Sequence, residues 1–119
     1  MKLKSQVTSL ELSKELKSAG YKQEGLWWWY KHDDKIKIIH PAMVKYMECD
    51  NYITQICVAP TVAELGDALP ENIESHKYNN KYNCIALEKE DNKLIYNLWA
   101  DTEADARAKM WLYLKEGLL

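Results

Sequence analysis

Leu26-Trp27-Trp28-Trp29-Tyr30-Lys31-His32-Asp33-Asp34-Lys35-Ile36-Lys37-Ile38 is the stretch on which the fold turns. Aromatic side chains suit a pleated, half-buried surface, so residues 26–30 predict a strand. Asp33-Asp34 supplies a turn. Lys35 to Ile38 then alternates polar and apolar residues, the pattern of a strand with one buried face. Together the three pieces predict an antiparallel hairpin.

Neighbours along a strand point to opposite faces. Trp28 and Tyr30 thus share a face with Leu26, and Trp27 and Trp29 share the other. Ile36 and Ile38 need burial, and Leu26 belongs with them. That arrangement places Trp28 and Tyr30 inside and leaves Trp27 and Trp29 outside, beside Lys35 and Lys37. An apolar patch rimmed by charge marks an interaction surface, and exposed Trp is a common interface anchor. Trp27, Trp29, Lys35 and Lys37 are therefore the expected partner-binding residues. Against this stands a plain alternative, that the aromatic run is core or lid in a chain without Phe. Aromatics interleaved with Lys31, Lys35 and Lys37 could also stack on single-stranded nucleic acid, but Asp33 and Asp34 cancel much of that charge.

Working outward, Thr8 and Glu11 have the T-x-x-E spacing of a capping box ahead of a helix over 9–18, with Val7 and Leu12 as its hydrophobic staple. Gly20 ends that helix. Residues 41–52 fit a helical turn and a strand about equally, and Ile53 to Val58 predicts a third strand. Thr61 and Glu64 repeat the capping box, Val62, Leu65 and Leu69 give the apolar face, and Pro70 stops the helix. The polar residues 71–80, with Asn79-Asn80, read as a loop. Tyr82 to Leu87 and Leu94 to Trp99 flank Glu90-Asp91-Asn92 as a second hairpin. Thr102 or Asp101 caps a last helix over 103–116, with Ala104, Ala108, Trp111 and Leu112 as its buried stripe.

The order is α-β-β-β-α-β-β-α. It predicts an α+β domain over residues 1–119, an antiparallel sheet of four to five strands with three helices mainly on one face. The 119 residues are 47% hydrophobic and 29% charged, an ordinary globular composition.

The formal net charge of −2 argues against a nucleic-acid partner, which needs a basic excess. Arg107 is the only arginine, so a bidentate phosphate fork could form only around it. Three cysteines, Cys49, Cys57 and Cys84, with no CxxC spacing predict reduced thiols rather than a disulfide framework. His32, His40 and His76 lack metal-ligand spacing, and a Cys49 pairing with His32 or His40 is not required by anything in the sequence. Met1-Lys2-Leu3-Lys4 leads into polar residues without a signal-peptide stretch, and no apolar run spans a bilayer. The expectation is a cytoplasmic protein with no membrane association, no metal and no cofactor. Glycine-rich phosphate loops, GxSxG and HExxH are absent, which lowers the prior for catalysis.

Two segments carry a resemblance. Thr61-Val62-Ala63-Glu64-Leu65-Gly66-Asp67-Ala68-Leu69-Pro70 and Asp101-Thr102-Glu103-Ala104-Asp105-Ala106-Arg107-Ala108-Lys109-Met110 resemble segments of a group of small uncharacterised bacteriophage and prophage proteins. Thr8 to Ser13 and Tyr21 to Glu24 look similar too. The resemblance covers about half the chain. It implies a viral or prophage origin, hence a host bacterial cytoplasm, and transfers no activity. The expected function is a non-catalytic binding module that contacts a host or phage protein or a second copy of itself. One specific form is an inhibitor of a host defence system. The alternative is a small-molecule or nucleotide binder with a pocket between sheet and helices.

Overall fold

The computed structural model describes residues 3–43, 53–87 and 94–117. Ten named elements follow in the order α1 (Leu3–Gln6), α2 (Leu10–Ser18), β1 (Trp28–His32), β2 (Lys35–Ile39), β3 (Ile53–Val58), α3 (Val62–Ala68), β4 (Ile73–Tyr78), β5 (Lys81–Leu87), β6 (Leu94–Ala100) and α4 (Glu103–Gly117). Residues 41–43 enter a further helical turn. Most of the ambiguous stretch 41–52, Cys49 and the Glu90-Asp91-Asn92 turn lie outside the described residues. No described helix is long and apolar enough to cross a membrane.

The mixed α+β composition and the antiparallel pairing are as expected, but the single sheet is not. The strands form two three-stranded antiparallel sheets, ordered β2-β1-β3 and β4-β5-β6. The reason lies in α4. Ala104 and Ala108 face a core with Leu16, Tyr21, Val58 and Leu65. Ala106 and Met110, about 200° round the helix, face a second core with Leu69, Cys84, Ala86 and Ala100. All four of these α4 residues are 0% exposed. A helix apolar on two sides lies inside a protein, not on one face of it. The expected stripe of Ala104, Ala108, Trp111 and Leu112 was therefore only half of the buried surface. Trp111 touches both cores.

The sixth strand, β4, occupies the stretch expected to be a loop. Asn79-Asn80 is a two-residue hairpin turn, with Asn79 at φ 56 and Tyr78 opposite Lys81. Asp33 at φ 55 plays the same part between His32 and Lys35. Asn and Asp tolerate this left-handed backbone, which matches the twist of the strands they join. β4 is polar because it is an edge strand and, among the described residues, nothing covers one of its faces.

Capping follows the expectation at two helices of three. Thr61 Oγ1 accepts from Glu64 N at 3.1 Å and Glu64 Oε1 accepts from Thr61 N at 2.9 Å, a complete capping box. Thr102 Oγ1 accepts from Asp105 N at 3.2 Å. Thr8 does something else. Its hydroxyl donates to Pro60 O at 3.2 Å and its N–H to the same oxygen at 2.9 Å, tying the N-terminal segment to the β3–α3 junction. Ser9 is the N-cap residue of α2, and its N–H is bound by Asp105 Oδ1 of α4 at 2.8 Å. Val7 does not staple Leu12, because the two sit in different cores. At the far end of α2, Gly20 (φ 95) and Tyr21 donate to Lys17 O and Leu16 O, the paired bonds of a Schellman close.

The two-faced burial of α4 sets an expected result. Ala106→Leu and Ala108→Leu should each overpack a different core and each cost about 1–3 kcal/mol. Urea unfolding of both variants checks this, and a helix buried on one side only would lose stability in just one of them.

Candidate functional site

The four residues expected to bind a partner do not form one patch. Trp29 is 8% exposed and packs with Val7, Cys57 and Ala59. Its indole N–H donates to Thr8 O at 3.1 Å, so both the ring and its polar atom are satisfied inside. Trp27 packs at the rim of the same cluster, its ring edge-on to His40 at 5.7 Å. Lys35 and Lys37 are exposed on the opposite face, because their strand partners are His32 and Tyr30. Trp29 instead pairs with Ile38.

The correction has a simple cause. A two-residue turn between His32 and Lys35 makes paired residue numbers add to an odd sum, so odd residues of β1 share a face with even residues of β2. That rule joins Trp29 to Ile38 and Tyr30 to Lys37. It also leaves Ile36 half-exposed near the hairpin tip and Leu26 outside β1 altogether. Both faces of this sheet are covered at the tryptophan end, one by the N-terminal segment and the other by the helices.

A different aromatic pair is uncovered. In the second sheet, Ser75, Cys84 and Leu98 share the face packed against α4. The outer face carries the intervening residues: Glu74, His76 and Tyr78 from β4, Asn83 and Ile85 from β5, and Asn97 and Trp99 from β6. Tyr78 is 66% exposed and Trp99 44% exposed. Their rings meet edge to face, centroids 6.2 Å apart at 74°. Among the described residues, the helices pack on the other side of this sheet. Lys109 Nζ donates to Trp99 O at 2.8 Å and fixes the backbone beneath the indole. The expected loop over 71–80 hides the pair, because it takes Tyr78 out of any strand. The legible signal was Asn79-Asn80: taken as a hairpin turn, it pairs Tyr78 with Lys81.

Other groups with chemical potential are spoken for. Arg107 gives Nε and Nη2 to Ser75 Oγ, Nη2 to Glu103 Oε2 at 3.2 Å, and Nη1 to Val62 O at 3.1 Å. Ser75 Oγ in turn donates to Glu103 Oε2 at 2.6 Å. The guanidinium fork is thus spent on tying α4 to β4 and α3. Cys57 and Cys84 are free and buried. Burial pushes the Cys57 thiol up, and burial outweighs the nearby Arg107 to push Cys84 up to about 11. High-pKa buried thiols are poor nucleophiles. Among the described residues no His, Cys, Asp and Glu cluster could hold a metal ion.

Two shallow grooves of about 710 Å³ each open onto solvent. One runs between α2 and α4, with Leu12, Leu98, Leu112 and Tyr113 below and Lys14, Glu15, Lys109 and Glu116 around. The other lies beside Trp111 and Glu64, whose carboxylate is already engaged by Thr61 N and Leu26 N. Compared with protein-family models, curated proteins and solved structures, the chain matches none.

Placement of the tryptophans is checked by stability. Trp29→Ala should cost about 3–5 kcal/mol, as for large buried aromatics, whereas Lys35→Ala and Lys37→Ala should stay within about 0.5 kcal/mol; urea titration measures all three. The thiols give a second check. Cys84 is raised from its ordinary 9.0 to about 11 in the folded chain. The stability that this shift contributes is complete below about pH 9 and is lost as pH rises toward 11, because the unfolded thiol ionises first. Thiol titration with a chromogenic disulfide at pH 8 should show Cys57 and Cys84 unreactive until denaturant is added.

Proposed function

We propose that this chain is a non-catalytic binding module that acts through protein–protein contact, using the outer face of the β4-β5-β6 sheet. The observation that carries the reading is the Tyr78–Trp99 pair, two large rings in mutual contact and 66% and 44% exposed on a face with no described cover. Exposed aromatics of this kind anchor interfaces, because they bury large area at little entropic cost. The surrounding Asn83, Asn97, Glu74 and His76 supply a polar rim. A nucleic-acid partner fits less well, since Glu74 and Lys81 offset each other on this face. A phage- or prophage-encoded inhibitor of a host defence system is one specific form of the proposal. It rests on the segment resemblance noted above and on the small size of the chain.

A second reading has its own observation. The groove between α2 and α4, about 710 Å³ with an apolar floor, falls within the size range of small-molecule sites. Its openness and its lack of a buried convergent polar group place it behind the aromatic face.

The test uses immobilised protein and bacterial lysate, with bound proteins quantified by mass spectrometry. A genuine partner is enriched at least tenfold on the wild-type chain and lost from Trp99→Ala and Tyr78→Ala, both of unchanged melting temperature. Retention of every enriched protein by both variants would remove this face from consideration.

A further inference from the structure

The four sheet edges are not equally protected. On β3, Val58 N is taken by Gln23 Oε1 at 2.9 Å and Ile56 O by Lys17 Nζ at 2.8 Å. On β6, Trp99 O is taken by Lys109 Nζ. On β2, self-pairing centred on Ile36 or Lys37 would set lysine against lysine, a known edge defence. On β4 the situation differs. Leu87 N donates to Asn72 O, and Tyr78 faces Lys81 across the turn. By ladder alternation, Glu74, His76 and Tyr78 bond to β5, while the main chain of Ser75 and Lys77 and the carbonyl of Ile73 point to the open edge; the Ile73 N–H is already given to Pro70 O at 3.3 Å. Among the described residues, no side chain bonds to the outward main chain of Ser75 or Lys77.

We infer that β4 pairs antiparallel with β4 of a second copy of this chain, about a two-fold axis at Ser75, making one continuous six-stranded sheet. The register follows from side-chain complementarity. Pairing centred on Ser75 sets Glu74 opposite the second copy's His76 on the outer face, and His76 opposite its Glu74. These are non-hydrogen-bonded positions, where facing side chains approach most closely. Centring on Glu74 would oppose two carboxylates, and centring on His76 two imidazoles. Both side chains are free to turn outward, since their existing 3.3 Å contact leaves them 59% and 53% exposed. An isologous contact needs such a self-complementary pattern. The Ser75 pair would exchange two ladder bonds, and each Lys77 N–H would donate to the second copy's Ile73 O. This inference rests on the β4 main-chain edge and the Glu74–His76 pairing rather than on the Tyr78 and Trp99 rings, which stand on the outer face.

Analytical ultracentrifugation of the full chain over about 5–500 µM tests it. Wild-type protein should rise toward twice its 13.9 kDa mass. His76→Glu, which sets carboxylates against each other, should stay monomeric. So should Lys77→Pro, which removes one outward N–H and no bond to β5. The double variant Glu74→Lys/His76→Glu sets opposite charges against each other in the Ser75-centred register and should recover the dimer. Circular dichroism confirms that each variant is folded; if Lys77→Pro is not, the two charge variants decide. A monomeric wild type, a His76→Glu variant that still dimerises, or a double variant that stays monomeric overturns the inference.

Discussion

Everything in this structure depends on α4 being apolar on two opposite sides. Ala104 and Ala108 let one set of elements approach closely, and Ala106 with Met110 serves another. Small side chains make the helix a thin shared wall rather than the lid of a single sheet. Each sheet can then be only three strands wide and still bury its inner face. The molecule is correspondingly elongated, 56 × 33 × 20 Å. Arg107 reinforces the wall at its N-terminal half, where its three nitrogens reach β4, α3 and Glu103 one turn back. Asp105, on the same turn, holds the start of α2. One helix therefore contributes packing on two faces and polar ties to four other segments, α2, α3, β4 and β6.

The consequence for the sheets is asymmetric. The first is covered on both faces at its tryptophan end, where Trp28 meets the helices and Trp29 meets the N-terminal segment. Among the described residues, the second has only α4 and its neighbours on one face, and nothing covers its other face and one edge. Among the described residues, covering elements run out over β4, β5 and β6, and the proposed binding surface is placed there for that reason.

Local signals were legible wherever a short-range bond decides the outcome. Thr61 with Glu64, Thr102 ahead of α4, Gly20 and Pro70 all act within a few residues, and each marked a true boundary. Thr8 had the same T-x-x-E spacing but a buried, long-range partner, Pro60 O, which no local pattern reveals. Strand parity was legible in principle: two residues between His32 and Lys35 are enough to put Trp29 with Ile38. The hydrophobic preference of Leu26 points the other way, yet Leu26 is 57% exposed. The candidate surface was the least legible feature. Tyr78 and Trp99 are brought together only through two registers in series, across β5. The second buried side of α4 was hidden for a related reason: alanines spaced by two look neutral in a pattern search that expects one stripe.

The central helix also sets an order of events in the cell. Synthesis proceeds from the N-terminus at about 5–20 residues per second. Both two-residue hairpins can zip locally within microseconds of emerging. Neither of the two larger cores can close, however, until residues 103–117 have been made. For several seconds the nascent chain carries Trp28, Val58 and Leu65 without the helix that covers them. Such a chain is a natural client for holding chaperones, and its yield in a foreign host should respond more to translation speed and chaperone supply than to the stability of the finished fold.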